Sequence, residues 1–347
     1  MFTCSTVKMV GGYNRADGVF VNAIISGFLC FLCLAIMSLP ALAVNSQGHR
    51  GARGLLPENT LPAFAEALRI GVDTLELDVV VTADDQVVVT HNPTLEPEIT
   101  RDPDGNWLTD TGPVIRSLTL AELKQYDVGG INPETRYANR FPDQKPLRGT
   151  RIPTLGEVID LVMSSGSQSV KLNIESKLSP DGPLPAVTPE QFARLIVDVL
   201  REHEFFDRAI IQSFNWSILK EVHRIDAQIK TSFLTAEQRW LDNIERGEPG
   251  SSPWTAGYDV DDHEGSVPDL IKQAGGDIWS SFFREVTSDS IARAHQLGLR
   301  VSVWTVNEES DMERMIELGV DSIITDYPDR LVNVMQRLGL SLPRTFP

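Results

Sequence analysis

Several polar side chains stand where core strands ought to be apolar. His49-Arg50-Gly51 comes first. Glu76 and Asp78 interrupt Thr74-Leu75-Glu76-Leu77-Asp78-Val79-Val80-Val81. His91 follows Val87-Val88-Val89-Thr90, and Glu175 and Lys177 end the run that begins at Val170. Side chains alternate faces along a strand, so Glu76 and Asp78 share one face, as do Glu175 and Lys177. An isolated charge on a core strand is costly unless it is paired or bound to a metal. Glu76, Asp78 and Glu175 offer oxygen ligands alone, which suits one hard divalent cation, Ca²⁺ or Mg²⁺, better than Zn²⁺. The bland alternative is a set of buried ion pairs with Arg50 and Lys177. His49 and His91 could form an acid and base pair, because imidazole titrates near neutrality. Arg50 and Lys177 suit a phosphate, the former through two parallel bonds and the latter as a point charge. Trp304, in Val303-Trp304-Thr305-Val306-Asn307, is a candidate apolar wall for the same pocket.

The elements that would position these groups alternate in type. Strand-like runs at 74–81, 86–91, 169–175, 209–213, 229–234, 277–281, 300–306 and 322–326 follow the one at His49. Amphipathic helices separate most of them. Thr188-Pro189 starts one helix, with Phe192, Leu195, Ile196 and Val199 on its inner side. Asn307 is expected to cap another, over Met312, Met315 and Ile316. Helix–Gly–apolar–polar–strand recurs at Gly71, Gly298 and Gly319, where a left-handed glycine would end each helix. Repeated βα units mean a parallel sheet. Alternation within the strands favours a closed TIM (β/α)8 barrel, with Leu75, Leu77 and Val79 facing the helices and Glu76 and Asp78 inside. Residues 82–85 are too few for a crossover helix, so 74–81 and 86–91 form a β-hairpin that returns His91 beside Leu77 and Asp78. Residues 92–150 carry seven prolines and read as an insertion after the second strand that caps the site.

The chain has 347 residues and a formal net charge of −17. Residues 1–43 read as a signal peptide: Lys8 and Arg15, an uncharged apolar run from about Val19 to Leu39, then Ala41-Leu42-Ala43. An uncleaved anchor is the less favoured alternative. Cleavage would remove two cations and one anion, leaving residues 44–347 one unit more negative. All three cysteines, Cys4, Cys30 and Cys33, lie in the leader, so the mature chain can form no disulfide and has no thiolate chemistry. Export implies a periplasmic or secreted protein without stable membrane association after cleavage. The acidic balance argues against nucleic acid as a partner, and an anionic substrate would need a local cation cluster or a metal. Asp259, Asp261, Asp262, His263 and Glu264 read as a solvated loop. His203, His223 and His295 read as surface residues.

His49-Arg50-Gly51, Pro57-Glu58-Asn59-Thr60, Glu76-Leu77-Asp78-Val79, His91, Glu175-Ser176-Lys177, Trp304-Thr305-Val306-Asn307 and Thr325-Asp326-Tyr327-Pro328 together resemble the glycerophosphodiester phosphodiesterases, in order, from about Gly48 to Arg330. The resemblance implies a TIM barrel with an insertion after the second strand. It also implies hydrolysis of a glycerophosphodiester to sn-glycerol 3-phosphate and an alcohol. By the same resemblance, Glu76, Asp78 and Glu175 hold the metal, His49 and His91 are acid and base, and Arg50 and Lys177 meet the phosphate. Asn92, where the family usually has Asp, and the long run 94–101 depart from the pattern. A related phospholipase-type phosphodiesterase would need an exposed apolar rim, which the polar 92–150 insertion does not offer. An exported glycerophosphodiester-binding protein without turnover would lack one of the histidines or acids.

Overall fold

The computed structural model describes residues 44–184 and 186–346. Residues 1–43, which read as a signal peptide, lie outside the described residues. Strands β1 (Asn45–Gly48) and β2 (Thr74–Val81) flank helix α1 (Leu61–Ile70), and β3 (Val87–Val89) turns back on β2. Helices α2 (Leu120–Leu123) and α3 (Leu155–Ser164) precede β4 (Lys171–Ser176). Then come α4 (Pro189–Glu202), β5 (Ala209–Ser213), α5 (Trp216–Ile225), β6 (Lys230–Thr235) and the small hairpin β7 (Glu237–Gln238) and β8 (Leu241–Asp242). The chain ends with α6 (Val267–Gln273), β9 (Ile278–Phe282), α7 (Ser288–Gln296), β10 (Arg300–Trp304), α8 (Glu309–Leu318), β11 (Ser322–Thr325) and α9 (Pro328–Arg337).

The strand order β1-β11-β10-β9-β6-β5-β4-β2 is parallel throughout, and pairing of Gln47 with Thr74 and Gly48 with Leu75 closes it. This is a TIM barrel, with β3 added antiparallel to β2 (Val79 opposite Val89). The alternation in the sequence explains the packing. Leu75, Leu77, Val79, Leu172 and Ile174 join the core beneath the helices. The inward positions are polar. Asn173 donates to Gln47 and Gln212, each at 2.9 Å, and Gln47 donates to Ser322 at 2.6 Å. A hydrogen-bonded floor therefore spans β11, β1, β4 and β5 under the mouth. These bonds offset much of the cost of burying the amides, although Asn173 Oδ1 itself has no donor.

Local signals account for the helix ends. Thr60 accepts from the Ala63 amide, and Thr188 from Gln191. Gly298 and Gly319 take positive φ as expected. Gly71 does too, but its ψ of 111° is not helical, so it ends α1 by a different turn. Asn307 is not the cap of α8; Glu308 occupies that position and makes no side-chain cap bond. The Asn307 amide is diverted to β11, where its Oδ1 accepts from the Asp326 amide at 3.0 Å. The 92–150 segment builds its own small core from Leu95, Ile115, Leu123 and Val128 against Val80 and Val88 of the hairpin.

The turn after β1 is tight. Arg50 and Gly51 both have positive φ, and a Cβ at Gly51 would lie 2.6 Å from the Ala63 carbonyl carbon on α1. Gly105 has φ +87° with nothing within 4 Å. Gly105→Ala should therefore cost only the backbone penalty, about 1–2 kcal/mol. Gly51→Ala should cost clearly more in urea unfolding; equal losses at the two sites would show that the turn is not clamped against α1.

Candidate active site

The catalytic candidates converge because four neighbouring strands end at the same mouth. β11, β1, β2 and β4 are consecutive around the barrel. Asp326 lies just past β11 and His49 just past β1, Glu76 and Asp78 lie within β2 with Asp78 opposite Glu175, and Glu175 and Lys177 lie at the end of β4. These groups border a cavity of about 1210 Å³ whose lining includes His49, Arg50, Glu76, His91, Glu175 and Lys177. Asp78 is not in the lining; it is fully buried at the base of the group.

Glu76, Asp78 and Glu175 each offer an oxygen within 4.8 Å of the others, the one such metal-capable cluster among the described residues. Each carboxylate is held by a specific donor. The Arg50 backbone amide donates to Glu76 Oε2 at 3.0 Å, and Gln212 donates to Glu76 Oε1 at 2.8 Å. Asn59 both donates to Asp78 Oδ2 at 2.8 Å and accepts from the Asp78 amide at 3.2 Å. Lys177 donates to Glu175 Oε1 at 2.6 Å. Asp78 Oδ1 is buried and has no hydrogen-bond donor.

Arg50 and Lys177 lie among the acids. Arg50 Nη1 donates to Glu58 at 2.5 Å, and its Nε stands 3.1 Å from Asp78. Lys177 Nζ is 3.6 Å from Asp78 Oδ1. In this arrangement both cations balance buried charge. Both also line the cavity, so a phosphate entering it would meet them.

His49 and His91 are oriented by fixed partners. His49 Nδ1 lies 2.7 Å from Asp326 Oδ1 and 3.1 Å from Arg53 Nη2. The carboxylate can only accept, so Nδ1 carries the proton, and the Arg53 contact is not the bond that matters. His49 Nε2 is left as the acceptor, 3.9 Å from Glu76 Oε2. Lys177 donates to His91 Nε2 at 2.9 Å, and His91 Nδ1–H donates to Asn92 Oδ1. The hairpin does bring His91 to the acidic group. Asn92, the departure from the family pattern, serves as its orienting acceptor.

The electrostatics follow from burial. Desolvation, then the Arg53 guanidinium, lowers His49 to about 4 against the pull of Asp326. Desolvation, with Arg50 and Lys177, holds His91 well below its usual value. Desolvation, with Asp78 and Glu175 beside it, pushes Glu76 well above the carboxylate range. Burial also raises Glu175, despite Lys177. Burial works against ionisation of Asp78, but Arg50, His91 and Lys177 outweigh it and hold that carboxyl low. Two imidazoles and one carboxyl thus favour their neutral forms.

Four partners escaped the sequence reading as site residues: Arg53, Glu58, Asp326 and Asn307. Arg53 forks onto Asp326 at 2.7 and 3.0 Å, and Asn307 Nδ2 donates to the same carboxylate at 2.7 Å. Glu58 accepts from Arg50 and from Tyr137 of the insertion. Glu58 and Asp326 stood in the quoted motifs without a role and Asn307 only as a helix cap, whereas Arg53 stood in none. Counting all of them, Glu58, Glu76, Asp78, Glu175 and Asp326 oppose only Arg50, Arg53 and Lys177. With all five carboxyls ionised, as ligation by Glu76 would require, the deficit is two positive charges; that deficit, the all-oxygen donor set and the orphaned Asp78 Oδ1 fit a divalent cation. Trp304 lines the cavity as well, packed edge-on to Phe214 at 5.5 Å.

The comparisons agree with this geometry. A glycerophosphodiester phosphodiesterase from Caldanaerobacter subterraneus subsp. tengcongensis is 29% identical over 84% of this chain and 97% of its own length. A solved structure from Silicibacter pomeroyi DSS-3, assigned to the glycerophosphoryl diester phosphodiesterases, is 39% identical with a TM-score of 0.77, covering 87% of this chain and 96% of that one. An Oleispira antarctica phosphodiesterase, solved with its product sn-glycerol 3-phosphate, shares the fold at 22% identity and a TM-score of 0.62, over 85% and 97% of the two chains. The profile of the glycerophosphoryl diester phosphodiesterase family matches residues 49–330, the span that carries every group described above, and the chain belongs to that family.

Proposed function

We propose that this protein hydrolyses glycerophosphodiesters to sn-glycerol 3-phosphate and an alcohol, with one divalent cation, Ca²⁺ or Mg²⁺, at Glu76, Asp78 and Glu175 and with His49 and His91 moving the protons. The observation that carries this reading is the pair of imidazoles, each fixed through Nδ1 beside the three carboxyls. A bound cation would supply a Lewis acid for a phosphate oxygen at the mouth. The chain's own residues do the rest. Arg50 and Lys177 offer positive charge to the phosphate as the phosphorus becomes five-coordinate. The neutral His49, already depressed to about 4, accepts at Nε2 the proton of the attacking group, either water or the neighbouring glycerol hydroxyl, the latter giving a cyclic phosphate that water then opens. Asp326 then stabilises the imidazolium through the Nδ1–H bond. The proton for the leaving oxygen comes through His91 Nε2 from the Lys177 ammonium, which donates to it at 2.9 Å, as the P–O bond to the alcohol breaks. The apolar leader supports an exported, periplasmic or secreted, setting for this activity.

Glycerophosphocholine turnover, followed by coupled detection of sn-glycerol 3-phosphate, tests the reaction. Chelation should abolish turnover, and Ca²⁺ or Mg²⁺ should restore it. Full activity in excess chelator after dialysis would remove the cation from the account.

His49→Ala and His91→Ala should each lower kcat by roughly 10²–10⁴-fold, the range for loss of a positioned acid or base. An aryl leaving group needs little protonation, so it should partly rescue His91→Ala and leave His49→Ala slow. Rescue of His49→Ala instead would exchange the two roles. Near-normal kcat in both folded variants would make both histidines structural.

A further inference from the structure

The barrel mouth has two chemically distinct halves. The charged groups occupy the ends of β11, β1, β2 and β4. The ends of the other four consecutive strands, β5, β6, β9 and β10, carry rings. Phe214 follows β5, Trp240 sits in the β7–β8 hairpin just after β6, Phe282 ends β9 and Trp304 ends β10. Trp254 joins them from the loop after that hairpin. The five rings are contiguous: Phe214–Trp304 at 5.5 Å, Phe282–Trp304 and Trp240–Phe282 at 5.6 Å, Trp240–Trp304 at 6.1 Å and Phe214–Trp254 at 6.5 Å. All five line the cavity that also holds the carboxyls and imidazoles.

Trp240 is the informative member. It is 60% exposed, although it is braced by two neighbouring rings. A purely structural tryptophan would bury its indole, because apolar area left in water forfeits about 25 cal/mol per Å². Exposed aromatic surface inside a cavity is where a ligand gains by covering it. The cavity volume of about 1210 Å³ exceeds the roughly 300–1,000 Å³ of sites that enclose drug-sized ligands. A glycerophosphate alone leaves most of it empty.

We propose that this aromatic wall is a subsite for an apolar substituent of the diester, a hydrocarbon chain carried either by the alcohol or by the glycerol. The inference rests on the phosphodiesterase reading above, since the phosphate in the charged half is what places the substituent. The arrangement excludes a different occupant. A quaternary ammonium needs ring faces set around an open space. Here four of the five ring contacts are edge-on and Phe282–Trp304 is tilted at 54°, and the rings present a continuous wall, which suits an extended chain. The cavity lining also includes Arg53, Tyr137, Arg136 and Arg140, which can meet free hydroxyls. An apolar rim therefore exists, on the loops after β5 and β6 and at the ends of β9 and β10.

The test compares three substrates with the full chain and its cation. They are glycerophosphoethanolamine, its hexyl-ester counterpart, and lysophosphatidylethanolamine with an octanoyl chain on the glycerol. Trp240→Ala should lower kcat/KM roughly tenfold on at least one chain-bearing substrate, the scale of losing a few buried methylenes. It should change glycerophosphoethanolamine by less than about twofold. Trp240→Phe should restore much of the loss, and a thermal melt should show both variants folded. Loss on the hexyl ester alone places the chain on the alcohol; loss on the octanoyl substrate alone places it on the glycerol. Equal losses on all three substrates would mean that the wall holds the common glycerol and would overturn the proposal. No loss on either chain-bearing substrate would overturn it too. Wild-type turnover of none of the three would overturn the phosphodiesterase reading, and the subsite with it.

Discussion

Three carboxyls lie within 4.8 Å of one another at the bottom of the barrel mouth, and their mutual repulsion organises what surrounds them. Burying even one ion costs several kcal/mol unless partners compensate it. The chain supplies partners of alternating sign: Glu58, Arg50, Asp78, Lys177 and Glu175 follow one another in contact. Asp78 gains most from this and stays ionised. Glu76 gains least. Its donors are an amide backbone and a glutamine, which stabilise a charge less than a cation does. Its raised pKa expresses the shortfall of positive charge, and a divalent cation would remove that shortfall.

The same constraint reaches into the barrel. Gln212 can point at Glu76 because Asn173 holds its amide oxygen, and Asn173 is in turn anchored by Gln47. An apolar interior layer would leave Glu76 without that donor. The rim obeys it too. Asp326 can brace His49 without adding an unbalanced charge because Arg53 and Asn307 share its oxygens. Polar groups therefore concentrate on one run of four strands, and the opposite run is free to carry rings. A substrate with one charged centre and unlike substituents suits such a divided mouth.

The sequence made some of this legible and hid the rest for physical reasons. Strand alternation is a local signal, so the inward faces of Glu76, Asp78 and Glu175 could be read directly. A four-residue connection permits only a hairpin, and that hairpin alone places His91 beside Asp78. Arg53 and Asp326 are 273 positions apart, and only barrel closure between the first and last strands makes them neighbours. Asn307 precedes a helix and looks like its cap; its Oδ1, the atom a cap would use, accepts instead from the Asp326 backbone amide. The aromatic half was invisible because its rings come from positions 214, 240, 254, 282 and 304, on separate loops and strand ends with no shared periodicity.

Calorimetry of Ca²⁺ and Mg²⁺ binding to the full chain, in buffers of different ionisation enthalpy, measures the central balance most directly. Glu76 must lose its proton before it can serve as a ligand, so protons compete with the cation. The account predicts net proton release on ion binding and an affinity that rises with pH through the range in which Glu76 ionises. Binding that releases no proton and holds the same affinity across that range would contradict it, because the carboxyls would then already be ionised without the ion.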